Sequence, residues 1–318
     1  GSNAFLLSGE YATYLAGRSI EIKVYPLSFT EFIDFHGYKI IEKKNLIGGT
    51  TKKVENINGE SYDIKELLEA YMTFGGMPSL TEVNLEIDKA LTILDGIYSS
   101  VVIRDILERE KQKDRRQVTD SRLLRKIIMF LADNIGNNTS INSISNVLLN
   151  EKLIETKPAV QTVQFYVATL LEAYVFYEIK RFDIKGKEYL KTLGKYYIVD
   201  IGLKNYLLGF RNRDIGHIIE NIVYFELLRR GYDVAIGKIG ENEIDFIATN
   251  INTKIYIQVT ENMASSSTRE RELAPFYKIK DNFEKIVITN DESYLGIQDG
   301  IKIIRLVDFL LDEKILKN

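Results

Sequence analysis

The chain has 318 residues, four prolines, no cysteine and no tryptophan, and a formal net charge of −3. Without cysteine there are no disulfides, thiolate nucleophiles or cysteine–zinc sites, and two histidines, His36 and His217, argue against a His-rich metal centre or a Ser–His–Asp triad. Chemistry is left to carboxylates, hydroxyls, Lys and Arg. No apolar run approaches the roughly 18–20 residues of a membrane helix, and a cysteine-free chain fits a reducing cytosol, so a cytoplasmic protein with no membrane partner is expected.

In chain order, Phe5–Leu15 reads as a short helix closed by Gly17, and the alternation of Ile20, Glu21, Ile22, Lys23 and Val24 as a strand. Pro26 stops that strand, and Ser28-Phe29-Thr30-Glu31 has the spacing of a capping box at a helix start. Residues 39–60 are polar and glycine-punctuated and read as a surface loop or a short excursion. Within them Gly48-Gly49-Thr50-Thr51-Lys52-Lys53 lacks the spacing of a phosphate loop. Helical spacing returns at Ile64–Thr73 and Ile87–Glu110, separated by Gly75-Gly76-Met77-Pro78.

Between Arg104 and Lys126 nine Lys/Arg face five Asp/Glu, which suits either a nucleic-acid footprint or a solvated face of mixed charge. Three helices follow, Ser121–Ala132, Ser140–Leu149 and Pro158–Ala173, and then two β-like segments at Val175–Phe182 and Lys195–Val199. Three helices and a ribbon make a winged helix. Its third helix carries Val160, Gln161, Val163, Gln164, Phe165 and Tyr166 but no Arg or Lys, leaving DNA and protein both open as partners.

The last hundred residues hold the chemistry. Ile218–Arg230 is a helix, and Tyr232–Ile239, Glu243–Thr249 and Lys254–Thr260 are strands. Arg269–Tyr277 is a helix, Phe283–Thr289 and Lys302–Arg305 are strands, and a helix starts at Leu306. That is the core order of the restriction-endonuclease-like fold. Its site needs a helix acid, an Asp on the second strand and an acidic-x-Lys on the third, converging on a hard divalent metal. Glu220 and Asp245 fill the first two places, with Glu243 on the same strand face, but Gln258-Val259-Thr260 stands where acidic-x-Lys belongs. Asp245 and Gln258 are the candidate Mg²⁺ ligands, and Lys238 or Lys254 could supply a displaced cation. The alternative is a purely structural polar network.

Several stretches together resemble a prokaryotic AAA-type ATPase family that carries the domain of unknown function 4143. They are residues 1–8, Leu15–Arg18, Pro26–Phe32, Gly75–Pro78, Asp200–Leu203, Glu220-Asn221, Leu227–Gly231, Glu243–Phe246 and Ile257–Val259. Gly1-Ser2-Asn3-Ala4 reads either as a tag-cleavage scar or as native sequence. The resemblance implies that Asn3 is a sensor-1 residue and Arg18 a phosphate-sensing or subunit-contact residue. It also implies a chain cut free of its phosphate loop, with ATP and Mg²⁺ belonging to the parent protein. The expected fold is α+β and multidomain: an ATPase-core remnant over 1–26, a helical lid over 27–112, a winged helix over 113–212 and a restriction-endonuclease-like domain over 213–318. The expected function is a DNA- or protein-binding regulatory module, with a homo-oligomer among its expected partners, no ATPase activity and a degenerate nuclease site. The alternative is a Mg²⁺-dependent nuclease acting through Glu220, Asp245 and Gln258.

Overall fold

A computed structural model describes residues 22–44, 50–83, 85–104, 106–107, 118, 120–150 and 158–316. The protein is α+β. Asn3, Arg18, the first expected helix and most of the basic run after Arg104 lie outside the described residues.

The chain enters the described region without regular structure at 22–25, where a strand was expected. Helix α1 (Phe29–Phe35) then starts where the capping-box spacing placed it. The Glu31 N–H donates to Ser28 Oγ at 3.3 Å and the Ser28 N–H to Glu31 Oε2 at 2.7 Å, so both orphan donors are satisfied. The expected polar loop after it is a three-stranded antiparallel sheet instead: β1 (Tyr38–Lys44), β2 (Thr50–Asn56) and β3 (Ser61–Asp63). Its register places Lys39 opposite Glu55 and Glu42 opposite Lys52. Opposite charges face each other across the ladder, and Val54 is buried beneath it. A charged strand of this kind has the composition of a loop.

Helices α2 (Ile64–Phe74), α3 (Ile87–Ile97), α4 (Ser121–Asp133), α5 (Ile141–Asn150) and α6 (Val160–Glu172) follow their apolar spacing. Asp120 caps α4 by accepting from the Arg122 and Leu123 N–H groups. A hairpin of β4 (Phe176–Asp183) and β5 (Glu188–Ile198) comes next, then helix α7 (Ile201–Leu208), which sequence spacing had not shown, and the long helix α8 (Ile215–Arg229). The remainder is β6 (Asp233–Ile239), β7 (Asn242–Thr249), β8 (Lys254–Thr260), α9 (Ser266–Tyr277), β9 (Glu284–Thr289), β10 (Gly296–Gln298), β11 (Ile301–Arg305) and α10 (Leu306–Leu311).

Among the described residues one sheet of eight strands runs β10-β11-β9-β8-β7-β6-β4-β5. β6, β7 and β8 form an antiparallel meander. The α9 crossover makes β9 parallel to β8, and β11 lies parallel to β9. The hairpin does not stand apart: β4 pairs in parallel with β6 from Arg181 to Asp183, so the ribbon expected for a separate winged unit extends the same sheet across residue 213. Alternation sorts two cores. Phe246, Ala248, Ile255, Ile257, Ile286 and Ile288 share one with Ile218, Ile219, Ile222 and Val223 of α8. Ile247, Tyr256, Val287, Ile301 and Ile303 share the other with Leu273 and Phe276 of α9.

The motifs at 75–78 and 200–203 meet where α2 ends on the start of α7. The Gly76 N–H donates to Asp200 Oδ2 at 2.7 Å, and Asn205 Nδ2 donates to the Met72 and Thr73 carbonyls. A Cβ on Gly202 would collide with the Phe74 carbonyl, and one on Gly75 with the Asp200 carboxylate. Arg229 of α8 donates to the Pro26 carbonyl at 2.7 Å, and Asn221 holds both the N–H and the carbonyl of Ile198. Glycine is required here by close approach.

Gly202→Ala is expected to lower the unfolding free energy by about 1–3 kcal/mol. Gly216→Ala on α8, where a Cβ meets nothing within 4 Å, should be neutral or stabilising; urea unfolding of the two variants compares them. Burial raises the Asp200 carboxyl from 3.8 to about 6, against the Gly76 N–H and the Arg229 charge. The folded state therefore binds that proton more tightly than the unfolded chain. The contribution is fully present below about pH 4 and fades as pH rises through about 6, by roughly 3 kcal/mol in all. Asp200→Asn should flatten that slope in unfolding curves taken across the window; an unchanged slope would assign it to another group.

Candidate functional site

Four of the acids and amides singled out in the sequence converge. Glu220 sits one and a half turns into α8, Glu243 and Asp245 project from β7, and Gln258 from β8. Two bulges aim them. Between Ala235 and Gly237 the β6–β7 register shifts, and between Lys180 and Phe182 the β4–β5 register shifts, so both irregularities flank the cluster.

The centre of the cluster is a residue the sequence reading did not select. Lys195 of β5 is 4% exposed. Its Nζ lies 2.9 Å from Glu220 Oε1, 2.9 Å from Glu243 Oε1 and 3.8 Å from Asp245 Oδ1. Tyr197, two residues on and on the same strand face, donates its hydroxyl to Glu220 Oε1 at 2.5 Å. The expected sources of a displaced cation do not fill this place. The Lys254 ammonium lies over the rings of Phe182, Tyr256 and Phe283, and Lys238 stands opposite Glu243 in register without entering an ion pair among the described residues. The signal for Lys195 was present: a lysine spaced by two from a tyrosine at the head of the apolar run Lys195–Val199, on a face that must be buried.

Outer contacts fix the rest. Glu243 Oε2 accepts from Asn138 Nδ2 at 2.9 Å and lies 3.8 Å from Arg181. Asp245 Oδ2 accepts from the Val259 N–H at 2.8 Å, and Gln258 Nε2 donates to Glu272 Oε2 of α9 at 3.0 Å. Asn138 belongs to the α4–α5 connection, which also ladders onto the β5 edge: the Gly136 N–H donates to the Tyr196 carbonyl, and Thr139 exchanges both backbone bonds with Gly194. Gly136 backs directly onto Glu220 and His217, whose Nδ1 is 3.8 Å from Glu220 Oε2.

Charge states follow from this packing. Burial opposes the Glu220 carboxylate, yet Lys195, His217 and Tyr197 outweigh it and hold its pKa below the ordinary carboxylate range. Burial and the Glu220 charge push Asp245 well above that range, with Lys195 and the Val259 N–H only partly offsetting them. Burial also opposes the Lys195 ammonium, but Glu220, Asp245 and Glu243 raise its pKa above that of a free lysine. The ammonium is therefore permanently charged at neutral pH. Among the described residues no group of three or more His, Asp or Glu is arranged to hold a metal. For the proposed pair Asp245 and Gln258, the Asp245 Oδ2 and the Gln258 amide N–H₂ are already engaged with protein partners.

A family model, a domain of unknown function (DUF8612), matches residues 65–214. An uncharacterized protein of Haemophilus influenzae is 39% identical over 311 residues, which are 98% of this chain and 70% of that protein. The chain belongs to the family of that Haemophilus protein. An uncharacterized protein of Methanocaldococcus jannaschii is 29% identical over 97% of this chain and 66% of its own length. No solved structure matches the chain. The AAA-type ATPase family carrying domain 4143 is therefore not the family of this chain, and it is not read as a remnant of such an ATPase. The motifs behind that resemblance have packing reasons: Gly75-Gly76, Asp200–Leu203, Asn221 and Arg229 form one node of close contacts. The nucleotide-sensing roles of Asn3 and Arg18 rested on the resemblance alone, and both residues lie outside the described ones. No helix among the described residues is long and apolar enough to cross a membrane.

Lys195→Ala should lower the unfolding free energy by about 3–5 kcal/mol, because it strands Glu220 and Glu243 without their buried counter-ion. Asn138→Ala, which removes one neutral donor from Glu243, should cost about 1 kcal/mol. Urea unfolding at neutral pH measures both, and equally small losses would contradict a network centred on Lys195.

Proposed function

We propose that the protein is a non-cleaving nucleic-acid-binding module built on an endonuclease-like domain. The helix–meander–helix–strand order of α8 through β9, with β6-β7-β8-β9-β11 adjacent in sequence order, supports the domain type. The observation that carries the absence of cleavage is the Lys195 ammonium seated between Glu220 and Glu243. It neutralises in place the carboxylates that a metal would need. Helices α4 to α6 followed by the β4–β5 hairpin have the order of a winged helix. Lys180, Lys185 and Lys187 are exposed on that hairpin with Tyr189, beside the exposed Glu178 and Glu188, and its lysines and ring suit a phosphate backbone and unstacked bases. The third helix carries no Arg or Lys, so affinity rests on backbone contacts more than on base readout.

A second reading, a Mg²⁺-dependent nuclease, is favoured by the same residue seen differently. Lys195 supplies in space the cation that Thr260 fails to supply in sequence, beside an Asp245 Oδ1 held by no hydrogen bond among the described residues. Incubation with single- and double-stranded DNA in Mg²⁺ or Mn²⁺ separates the two. The expected result is no cleavage, with binding whose affinity falls steeply with salt. Cleavage abolished by Asp245→Ala would establish the nuclease, and binding that ignores salt, or none at all, would point to a protein partner.

A further inference from the structure

Away from the acids, three aromatic rings from three elements enclose one ammonium. Lys254 opens β8, and its Nζ lies 4.8 Å from the centroid of the Tyr256 ring, 5.2 Å from that of Phe283 and 5.9 Å from that of Phe182. Tyr256 shares the strand face of Lys254, Phe283 leads into β9, and Phe182 comes from β4. The register partner of Phe182 on β6 is Gly237, where a Cβ would meet Ile184 Cδ1 and Ile247 Cγ1 at 3.1 Å. The missing side chain leaves room for β4 side chains to lean across β6. Tyr189 of β5 continues the row, packed edge-on against Phe182 with centroids 5.2 Å apart. Its ring is 60% exposed and that of Phe283 47%.

Rings hold an ammonium without using its N–H donors. Among the described residues the Lys254 ammonium enters no ion pair and no hydrogen bond, so its charge and donors are free for a ligand. Two nearby acids are engaged: Asp281 accepts from the Tyr256 hydroxyl at 2.6 Å, and Asp183 accepts from the Lys185 N–H in its own turn. Glu188 and Asp233 stay exposed at the starts of β5 and β6, against Lys185, Lys187 and Lys254. We propose that Tyr189, Phe182, Lys254 and Phe283 form a binding strip for single-stranded nucleic acid, with bases stacked on the exposed rings of Tyr189 and Phe283 and a phosphate on the Lys254 ammonium between them. Ring, cation and ring in a row repeat the order base, phosphate and base. A duplex keeps its base faces inside and cannot use the rings, whereas an acidic peptide would use the lysines and leave the rings uncovered. This rests on the nucleic-acid-binding reading and adds to it the strand state and the residues that select it.

The test is fluorescence anisotropy of labelled oligothymidylate and oligouridylate of about 16 nucleotides, and of a duplex of equal length, titrated with the full chain across a range of salt. Both single strands should bind, since rings and an ammonium ignore the sugar, and should do so about tenfold more tightly than the duplex. Tyr189→Ala, Phe283→Ala and Phe283→Leu, the last keeping apolar packing without the ring, should each weaken single-strand binding about tenfold. Lys254→Met should weaken it and lower the slope of log K against log salt by about 0.7, one phosphate contact, while Lys254→Arg keeps both. Phe210→Ala, which removes an exposed ring from the α7–α8 connection, should change nothing. Strip variants that bind like wild type, a duplex bound as tightly as the single strands, or an unchanged slope in Lys254→Met each overturn the inference. Thermal unfolding checks each variant, and Phe283→Leu decides where Phe283→Ala melts early. Salt-steep binding by the wild type with silent strip variants sinks only this inference, whereas a wild type that binds no nucleic acid sinks the proposed function as well.

Discussion

The buried Lys195–Glu220 contact is the constraint on which the rest of the sheet depends. A lysine and a glutamate taken from water together are tolerable only when each finds further partners, and these two do: Glu220 has Tyr197 and His217, and Lys195 has Glu243. With Glu243 it ties β5 at the sheet edge to α8 beneath it and to β7 three strands away. It also fixes the α4–α5 connection, because Gly136 packs against Glu220 and Asn138 bonds to Glu243. The three-helix segment is thereby anchored to the sheet through polar contacts at one spot. A change in either the helices or the cluster is felt by the other.

A second junction holds the N-terminal helices. α2 ends on Gly75-Gly76 so that its last carbonyls and the next N–H can meet Asn205 and Asp200 of the α7 region. Arg229 reaches back to the Pro26 carbonyl, and Tyr71 donates to the Leu27 carbonyl at 2.8 Å. The two junctions lie on the same helix: Glu220 near the start of α8 faces the cluster, and Arg229 at its end faces the N-terminal segment. α8 is the beam between them, which explains why its polar residues are as buried as its apolar ones.

Much of the architecture was visible in the residues. The capping box at Ser28–Glu31, the apolar spacing of α2 and α4 to α6, and the strand alternation of β6 to β9 are local signals, and local hydrogen bonding and side-chain period enforce them. The β1–β2 ribbon was not visible, because its stabilisation comes from charges opposed across strands and a single buried valine, a pattern that in one dimension is indistinguishable from a polar loop. Helix α7 was hidden for the opposite reason: it is buried on nearly every side, Lys204 included, through its 2.7 Å contact with Asp214, so it shows no amphipathic period.

At the site, sequence determined which acids would be present and on which strand face, because period-2 alternation puts Glu243 and Asp245 together and the β7–β8 pairing sets Gln258 beside them. It could not determine what they would meet. Lys195 lies 25 residues before Glu220 and 50 before Asp245 in the chain. Only the parallel joining of β4 to β6 and the bulge that re-aims β5 bring its ammonium among them. Residue types and their local periodicity fix the inventory of charge; the order of strands in the sheet decides which opposite charges neutralise one another.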